Sequence, residues 1–321
     1  MALWTIDHVI NTETRFAKLQ ADAYAQALKN VWYDKILSIR PGEGKKQIVE
    51  WLLTTADLYN LGGSNAIRFD DLVTKSAEVT HDNFGAGLKI DRNQWEDDAF
   101  GFAGEWSRQM GSRMALDPQY AVIDLIKNGE TALGYDGVAF YSKGHYVNPY
   151  TASGDQFDNL VDDMNDIDSS FTNATNPVLS SAHLVAAIAY IKSQKMPNGR
   201  NRNLRPNLLR VPPQLEKTAI ELTSAAFIGA TENVIRAYQL EVLVVNELAD
   251  APKSWYLDCL VGETPDLLPF VRFERQAFEM TSYNGMTQAE LSRQNALEWH
   301  VRGRFGHMYG HPYQSFKFKP S

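Results

Sequence analysis

The chain has 321 residues, 44% of them hydrophobic and 22% charged, which is enough for one large or two modest domains around a real core. Its formal charge of -8 argues against a surface built throughout to grip nucleic-acid phosphates. The single cysteine, Cys259, excludes an intrachain disulfide framework and suits a reducing compartment, while no apolar run approaches bilayer-spanning length and the opening MALWTIDHVINTETRF lacks a secretion signal.

From Thr12 to Asp34, Phe16, Leu19, Ala23, Ala27, Leu28 and Val31 recur at helical spacing, which predicts an amphipathic helix that packs either on its own core or on a neighbour. Ile39 to Gly44 is a break. Residues 47–53 read as a strand, Gly62-Gly63-Ser64-Asn65 as a tip, and residues 66–69 and 76–81 as returning strands, before 86–90 lead onward. Such a ribbon is marginal in isolation, so Trp51 and Phe69 are expected to need a partner surface.

Asp97 and Asp98 suit a helix N-terminus, followed by a predicted buried stripe of Ala99, Phe102, Ala103, Trp106, Met110 and Met114. Asp117-Pro118 reads as a cap and first-turn proline, which predicts a second helix carrying Tyr120, Val122, Ile123, Leu125 and Ile126 until Asn128-Gly129. Residues 135–141, Tyr-Asp-Gly-Val-Ala-Phe-Tyr, predict a hairpin or tight bend.

Between Gly144 and Pro177 the composition turns acidic, with Asp155, Asp158, Asp162, Asp163, Asp166 and Asp168. The ordered ligand spacing of a calcium loop is missing, so a solvated loop is expected. Ser180 or Ser181 should cap a helix whose buried face is Leu184, Ala187, Ile188 and Ile191. Residues 208–211 predict a strand, Pro212-Pro213 opens a helix lined by Leu215, Ala219, Leu222 and Ala226, and 240–245 and 255–261 read as further strands. Polar and apolar residues alternate over 297–308, before a tail at 314–318.

Chemistry finds no foothold. His307 and His311 have the spacing of paired metal ligands on a helix, but Gly306, Gly310 and Pro312 disfavour a helix there and no Glu follows His307. Cys259 reads as a small buried hydrophobe. No nucleophile elbow, phosphate loop or dinucleotide fingerprint is present, so no catalytic, cofactor or metal residue is assigned. Lys192, Lys195, Arg200, Arg202, Arg205 and Arg210 form the densest basic stretch, which could line an enclosed genome, pair with a neighbour's acidic loop, or simply be a solvated turn.

Taken in order, Ile90-Asp91-Arg92, Trp95-Glu96-Asp97-Asp98, Gly101, Asp117-Pro118, Gly129 and the run from Tyr135 to His145 resemble the major head (capsid) subunit of Mu-like phages and prophages. The likeness continues in Leu208-Leu209-Arg210-Val211-Pro212-Pro213-Gln214-Leu215-Glu216 and covers roughly residues 43–318, with the Asn-Gly-Arg-Asn-Arg-Asn insert and the tail fitting less well. The resemblance implies an α+β tailed-phage major-capsid fold. Its parts would be an N-terminal arm (1–43), an extended β-hairpin loop (44–90), a peripheral domain with a long spine helix (91–177 and 269–321) and an axial domain (178–268).

It further implies a structural protein, not an enzyme, that self-assembles as hexamers and pentamers into an icosahedral shell around double-stranded DNA. That shell would be the virion capsid, assembled in the host bacterial cytoplasm, with no sequence-specific DNA contact and no membrane. A portal and a separate scaffolding protein are expected as partners, because no long charged helical extension precedes the arm. Assembly candidates are Trp51, Phe69, Trp106, Arg200, Arg202 and Arg205. The alternatives are an encapsulin-like protein-cargo compartment and a metal-dependent hydrolase.

Overall fold

In the computed structural model, residues 5–52, 74–97, 101–172, 175–228, 231–260, 268–282, 287, 293 and 295–321 are described. In chain order the elements are α1 (Ile6–Ala27), β1 (Leu37–Pro41), β2 (Lys46–Leu52), β3 (Thr74–Thr80), β4 (Asp82–Asp91), α2 (Arg92–Glu96) and α3 (Phe102–Asn128). Three short strands follow, β5 (His145–Tyr146), β6 (Gln156–Phe157) and β7 (Leu160–Val161), then α4 (Ser181–Lys192), β8 (Leu208–Val211) and α5 (Glu216–Ser224). The chain closes through β9 (Phe227–Ile228), β10 (Thr231–Glu232), β11 (Glu241–Val244), β12 (Trp255–Asp258), β13 (Phe270–Ser282), β14 (Ala296–Tyr309) and β15 (Ser315–Phe318).

The long helix α3 organises one half. Its buried row is Ala103, Ser107, Gly111 and Ala115, small residues four apart, and not the larger stripe through Trp106 and Met114 expected from spacing. The reason is α1, which lies so close that a Cβ on Gly111 would come within 2.2 Å of the Gln20 carbonyl oxygen. Ser107 Oγ donates to the Phe16 carbonyl at 2.8 Å across the same contact. The first helix therefore packs on its own chain. It begins earlier than expected and ends at Ala27, where Leu28–Asn30 tightens into a 3₁₀ turn.

The expected break at Asp117-Pro118 is absent, and one helix runs through both residues. Pro118 cannot donate to the carbonyl four residues back. Packing on either side holds the helix regardless, with Gly111 and Ala115 buried before the proline and Val122, Ile123 and Ile126 buried after it. Asp117 accepts from Arg272 Nη1 at 2.8 Å, which ties the helix to β13. At the other end Gly101, with φ of 71°, precedes the first turn, while Asp97 terminates the short α2 instead of opening α3.

Two sheets carry the rest. The first has the order β1-β13-β14-β4, with β1 parallel to β13 and the long β13–β14 pair antiparallel with register shifts near Gln276. The second runs β11-β8-β12-β15-β7. The tail strand β15 thus pairs with β12, in the segment expected to be axial, and with β7, in the segment 91–177 expected to be peripheral. A strand of alternating Phe316 and Phe318 fits a two-sided buried sheet, and both are fully buried.

Period-two alternation sorts the second sheet into two cores. Leu209, Val211, Leu257, Phe316 and Phe318 face Leu184, Ala187, Ile188, Ile191, Ala219 and Leu222 of α4 and α5. Leu208 and Tyr256 face the other way, toward Val122, Ile123 and Ile126 of α3 and toward Phe140, Phe270 and Tyr309. The 135–141 bend is tight, as expected: Gly137 has φ of 84°, and Val138 N–H bonds the Asp136 carboxylate at 3.2 Å.

On that second face sits an ion pair with no solvent access. Arg210 Nη2 donates to Asp258 Oδ1 at 3.0 Å, to Ser315 Oγ at 3.2 Å and to Tyr141 Oη at 3.3 Å, with the guanidinium 4.4 Å over the Tyr256 ring. Ser315 Oγ donates to the same carboxylate oxygen at 2.5 Å. Burial pushes the Tyr141 and Tyr256 phenols up to about 12 and raises the Asp258 carboxyl, against the opposing pull of Arg210. Asp258→Ala leaves a buried guanidinium without its counter-ion and is expected to cost about 3–5 kcal/mol in urea unfolding, whereas Arg210→Met with Asp258→Leu recovers most of that loss. A single mutant as stable as the parent would show that the pair is not buried.

Candidate assembly surfaces

The ribbon formed by β2 and β3 is antiparallel over its described length, from Lys46↔Thr80 to Leu52↔Thr74. Trp51, expected to await a neighbour, is instead buried on its own chain: its ring lies 5.3 Å from Tyr135 and 4.7 Å from His311. His311 stacks on Tyr313 at 4.7 Å, and the Arg202 guanidinium covers the other ring at 4.0 Å from the Tyr313 centroid. Val79 joins Val271, Phe273 and Met308 in the same cluster. The ribbon base is therefore fastened by aromatic packing, while Phe69, the expected tip at 62–65 and the strand at 66–69 lie outside the described residues.

Where β3 passes into β4 the chain bends at His81, whose N–H bonds the Lys45 carbonyl at 3.0 Å. Its ring is buried against Gly42 and Gly306, and a Cβ on Gly42 would lie 2.3 Å from Nε2. The small residues here make room for the imidazole.

The basic stretch divides. Arg210 belongs to the core pair, and Arg202 is buried and also donates from Nε to the Lys195 carbonyl at 3.3 Å. Lys192 lies 4.6 Å over Tyr238, and Arg200 and Arg205 are exposed. The candidate triplet Arg200, Arg202 and Arg205 is thus two surface residues and one structural one. The acidic segment is partly satisfied at home: Lys143 Nζ lies 2.5 Å from Asp162 and 2.7 Å from Asp166, which raises its pKa, and Asp158 accepts from Gly144 N–H at 2.6 Å.

Large apolar side chains lie exposed at several places on the subunit surface, Leu133, Tyr150 and Ile48 among them. Phe102 is 68% exposed beside half-buried Trp106, at a cleft of about 620 Å³ that Leu88, Ile90 and Ala103 also line. Phe227 and Val234 are 67% and 70% exposed, Phe227 on the β9–β10 hairpin and Val234 in the 3₁₀ turn after it, next to Asn233, which donates to the Leu222 and Ala225 carbonyls at the end of α5 at 2.7 and 2.9 Å. Sequence reasoning placed Phe102 inside and passed over Phe227 and Val234, whose only signal is an apolar residue in a polar loop.

Among the described residues no group of three or more His, Cys, Asp or Glu is placed to hold a metal, and no helix is long and apolar enough to cross a membrane. Cys259 is buried, and burial pushes its thiol up, away from nucleophilic use. Burial first, and Arg272 and Arg202 second, hold His307 down to about 4 and His311 down to about 3.

Two expectations follow from this geometry. Both imidazoles titrate lower folded than unfolded, so the unfolded chain binds more protons between pH 6.5 and about 4 and stability falls as pH drops through that window. His311→Phe should flatten the fall when unfolding midpoints are measured across it; an unchanged slope would show that His311 is not held neutral. Arg202→Ala should cost about 1–3 kcal/mol through its lost stack and hydrogen bond, while Arg200→Ala with Arg205→Ala leaves the melting temperature in place.

A profile of the Mu-like prophage major head subunit gpT family matches residues 12–171 and 169–248. The major capsid protein of Escherichia phage Mu is 26% identical over 117 residues, 36% of this chain and 38% of that protein, so the chain's match spans under two fifths of that relative's length. In fold, the chain is similar to a solved procapsid of bacteriophage JBD30, with a TM-score of 0.56, 18% identity and coverage of 99% of this chain and 76% of that one. The JBD30 capsid decorated with minor capsid protein trimers aligns at a TM-score of 0.52 and 19% identity, over 67% of this chain and 90% of that one. With the mixed α+β architecture of phage capsid proteins and a family profile covering most of its length, the chain belongs to the Mu-like prophage major head subunit gpT family.

Proposed function

We propose that this chain is the major capsid subunit of a Mu-like tailed phage or prophage, a non-enzymatic protein whose copies self-assemble into an icosahedral shell that encloses double-stranded DNA. The observation that carries this reading is the combination of a capsid-type fold with several large apolar side chains exposed on the subunit surface, Phe227 and Val234 foremost. A monomer has no use for such exposed groups; a subunit with neighbours on several sides does.

In this reading α1 belongs to the arm (1–43), β2 and β3 to the extended loop (44–90), α3 is the spine of the peripheral part (91–177 and 269–321), and the sheet built on β8 and β12 is the axial part (178–268). The pairing of β15 with β12 supports assigning the tail to the axial sheet instead. Hexamers and pentamers form around the axial part, a portal and a separate scaffolding protein assist, and minor capsid proteins could decorate the outside as they do in the JBD30 relative. Individual contacts stay weak, since association costs offset most of the buried area, and repetition around closed symmetry lets wrong contacts reverse before closure. DNA is retained by confinement, consistent with a charge of -8.

Electron microscopy of the expressed full chain should show closed shells. Phe227→Asp with Val234→Asp should leave the subunit's thermal unfolding unchanged, because neither side chain is in its core, yet abolish closed particles. Normal particles from this variant would exclude the hairpin as an assembly contact, and a parent that stays monomeric at every concentration would exclude the shell reading.

A further inference from the structure

A buried histidine and aspartate meet at the bend after α3. His145, on β5, has no solvent exposure, and its Nδ1 donates to Asp136 Oδ2 at 2.6 Å, with the Asp136 side chain 4% exposed. The other ring nitrogen, Nε2, is buried with no partner among the described residues. Burying a carboxylate and leaving a ring nitrogen unpaired are both costly, so the contact holds something that apolar packing alone would leave loose.

What it holds is the 135–141 bend. The second carboxylate oxygen, Oδ1, accepts from the Val138 N–H at 3.2 Å, and the Gly134 N–H bonds the Val138 carbonyl at 2.7 Å. His145 is tied to the body in turn: β5 pairs with β6, and the imidazole stacks at 5.3 Å on Phe157, a member of the core that contains the buried face of α4.

The ribbon rests on this bend. Among the described residues β2 and β3 form a two-stranded sheet of their own, so no further strand pairing fixes their direction relative to the body. Beyond the root at His81, Lys75 Nζ donates to the Asp136 carbonyl at 3.0 Å, and the Trp51 ring lies 5.3 Å from the Tyr135 ring. Trp51 and Lys75 are register partners, so both strands meet the bend at one level. Alongside, a cleft of about 390 Å³ is lined by β3, the bend and the end of β14, which concentrates the ribbon's contact with the bend at that level.

We propose that the Asp136–His145 pair positions the ribbon: by fixing the bend it sets the direction in which β2 and β3 leave the body, and through that direction the geometry of the shell. The consequence for the shell rests on the shell reading; the positioning does not. Both residues act through Lys75 and Tyr135, and neither meets a neighbouring subunit.

The full-length chain tests this in two ways. Spin labels on Ile48→Cys in β2 and Lys217→Cys in α5, both exposed sites, report the ribbon's direction in the free subunit, where the native Cys259 is buried. The parent is expected to give one narrow distance distribution and His145→Leu to lose it. His145→Asn is expected to keep it, because its amide nitrogen stands as many bonds from Cβ as Nδ1 does and still donates to Asp136. Lys75→Met removes the ribbon's side of the seat and leaves the buried pair intact; it is expected to lose the narrow distribution at the parental melting temperature, and it alone decides if His145→Leu no longer unfolds cooperatively. By electron microscopy His145→Leu and Lys75→Met are expected to give misshapen or mixed-size particles, and His145→Asn the parental shell. A parental distribution in Lys75→Met or in folded His145→Leu overturns the positioning. His145→Asn as broad as His145→Leu overturns the hydrogen bond as its cause, and broadened distributions with parental shells overturn the link to shell geometry. A parent that gives a narrow distribution and never assembles overturns the shell reading and leaves the positioning standing.

Discussion

The architecture depends on a charge placed where charge is costly. Arg210 and Asp258 sit on adjacent strands of the second sheet, both without solvent access, and through Tyr141 and Ser315 they reach the bend after α3 and the tail strand. Four chain segments distant in sequence are thereby held at one point. A hydrophobic set of the same volume could be equally stable. It would not demand that each segment arrive in one register, because apolar contacts tolerate sliding and a carboxylate 3.0 Å from a guanidinium does not. In the proposed shell, an error in the register of these segments would be repeated in every copy.

Around this rigid centre the candidate assembly surfaces are kept out of the folding core. The ribbon is fastened at its base by Trp51, Tyr135 and His311, so its direction is set within the subunit even though its outer edge is free. Phe227 and Val234 project on either side of Asn233, whose hydrogen bonds fasten this segment to α5 without burying those side chains. Fold and assembly can then be separated energetically, which lets weak contacts form and dissolve without unfolding the subunit.

Much of this was legible in the residues. Ser180 caps α4, and Leu184, Ala187, Ile188 and Ile191 are buried as their spacing predicts, because local propensity and tertiary packing agree there. The strands at 208–211 and 255–258 and the glycine-centred bend after α3 were readable for the same reason. The failures share a different cause, which is that the deciding partner is remote in sequence. Pro118 stays helical because α1 and the core hold α3 on both sides of it. The buried row of α3 is the small-residue one because Gln20 backbone approaches Gly111. Arg202 and Arg210 look like members of a solvated basic run, and Tyr313 and Asp258, remote from them in the chain, are the partners that cover them. Among the assembly candidates, Trp51 packs on Tyr135 and His311 of its own chain, partners that lie far from it in sequence.

The central claim is that the subunit's body is complete before assembly and that only its edges are finished by neighbours. Residue-resolved hydrogen exchange on free and assembled protein addresses it most directly. The account predicts equal, strong protection of Leu208–Val211 and Trp255–Asp258 in both states, with gains on assembly confined to surface segments such as β9 and β10. Exchange of Leu208–Val211 and Trp255–Asp258 that slows only on assembly would contradict it, because the core itself would then require neighbours to fold.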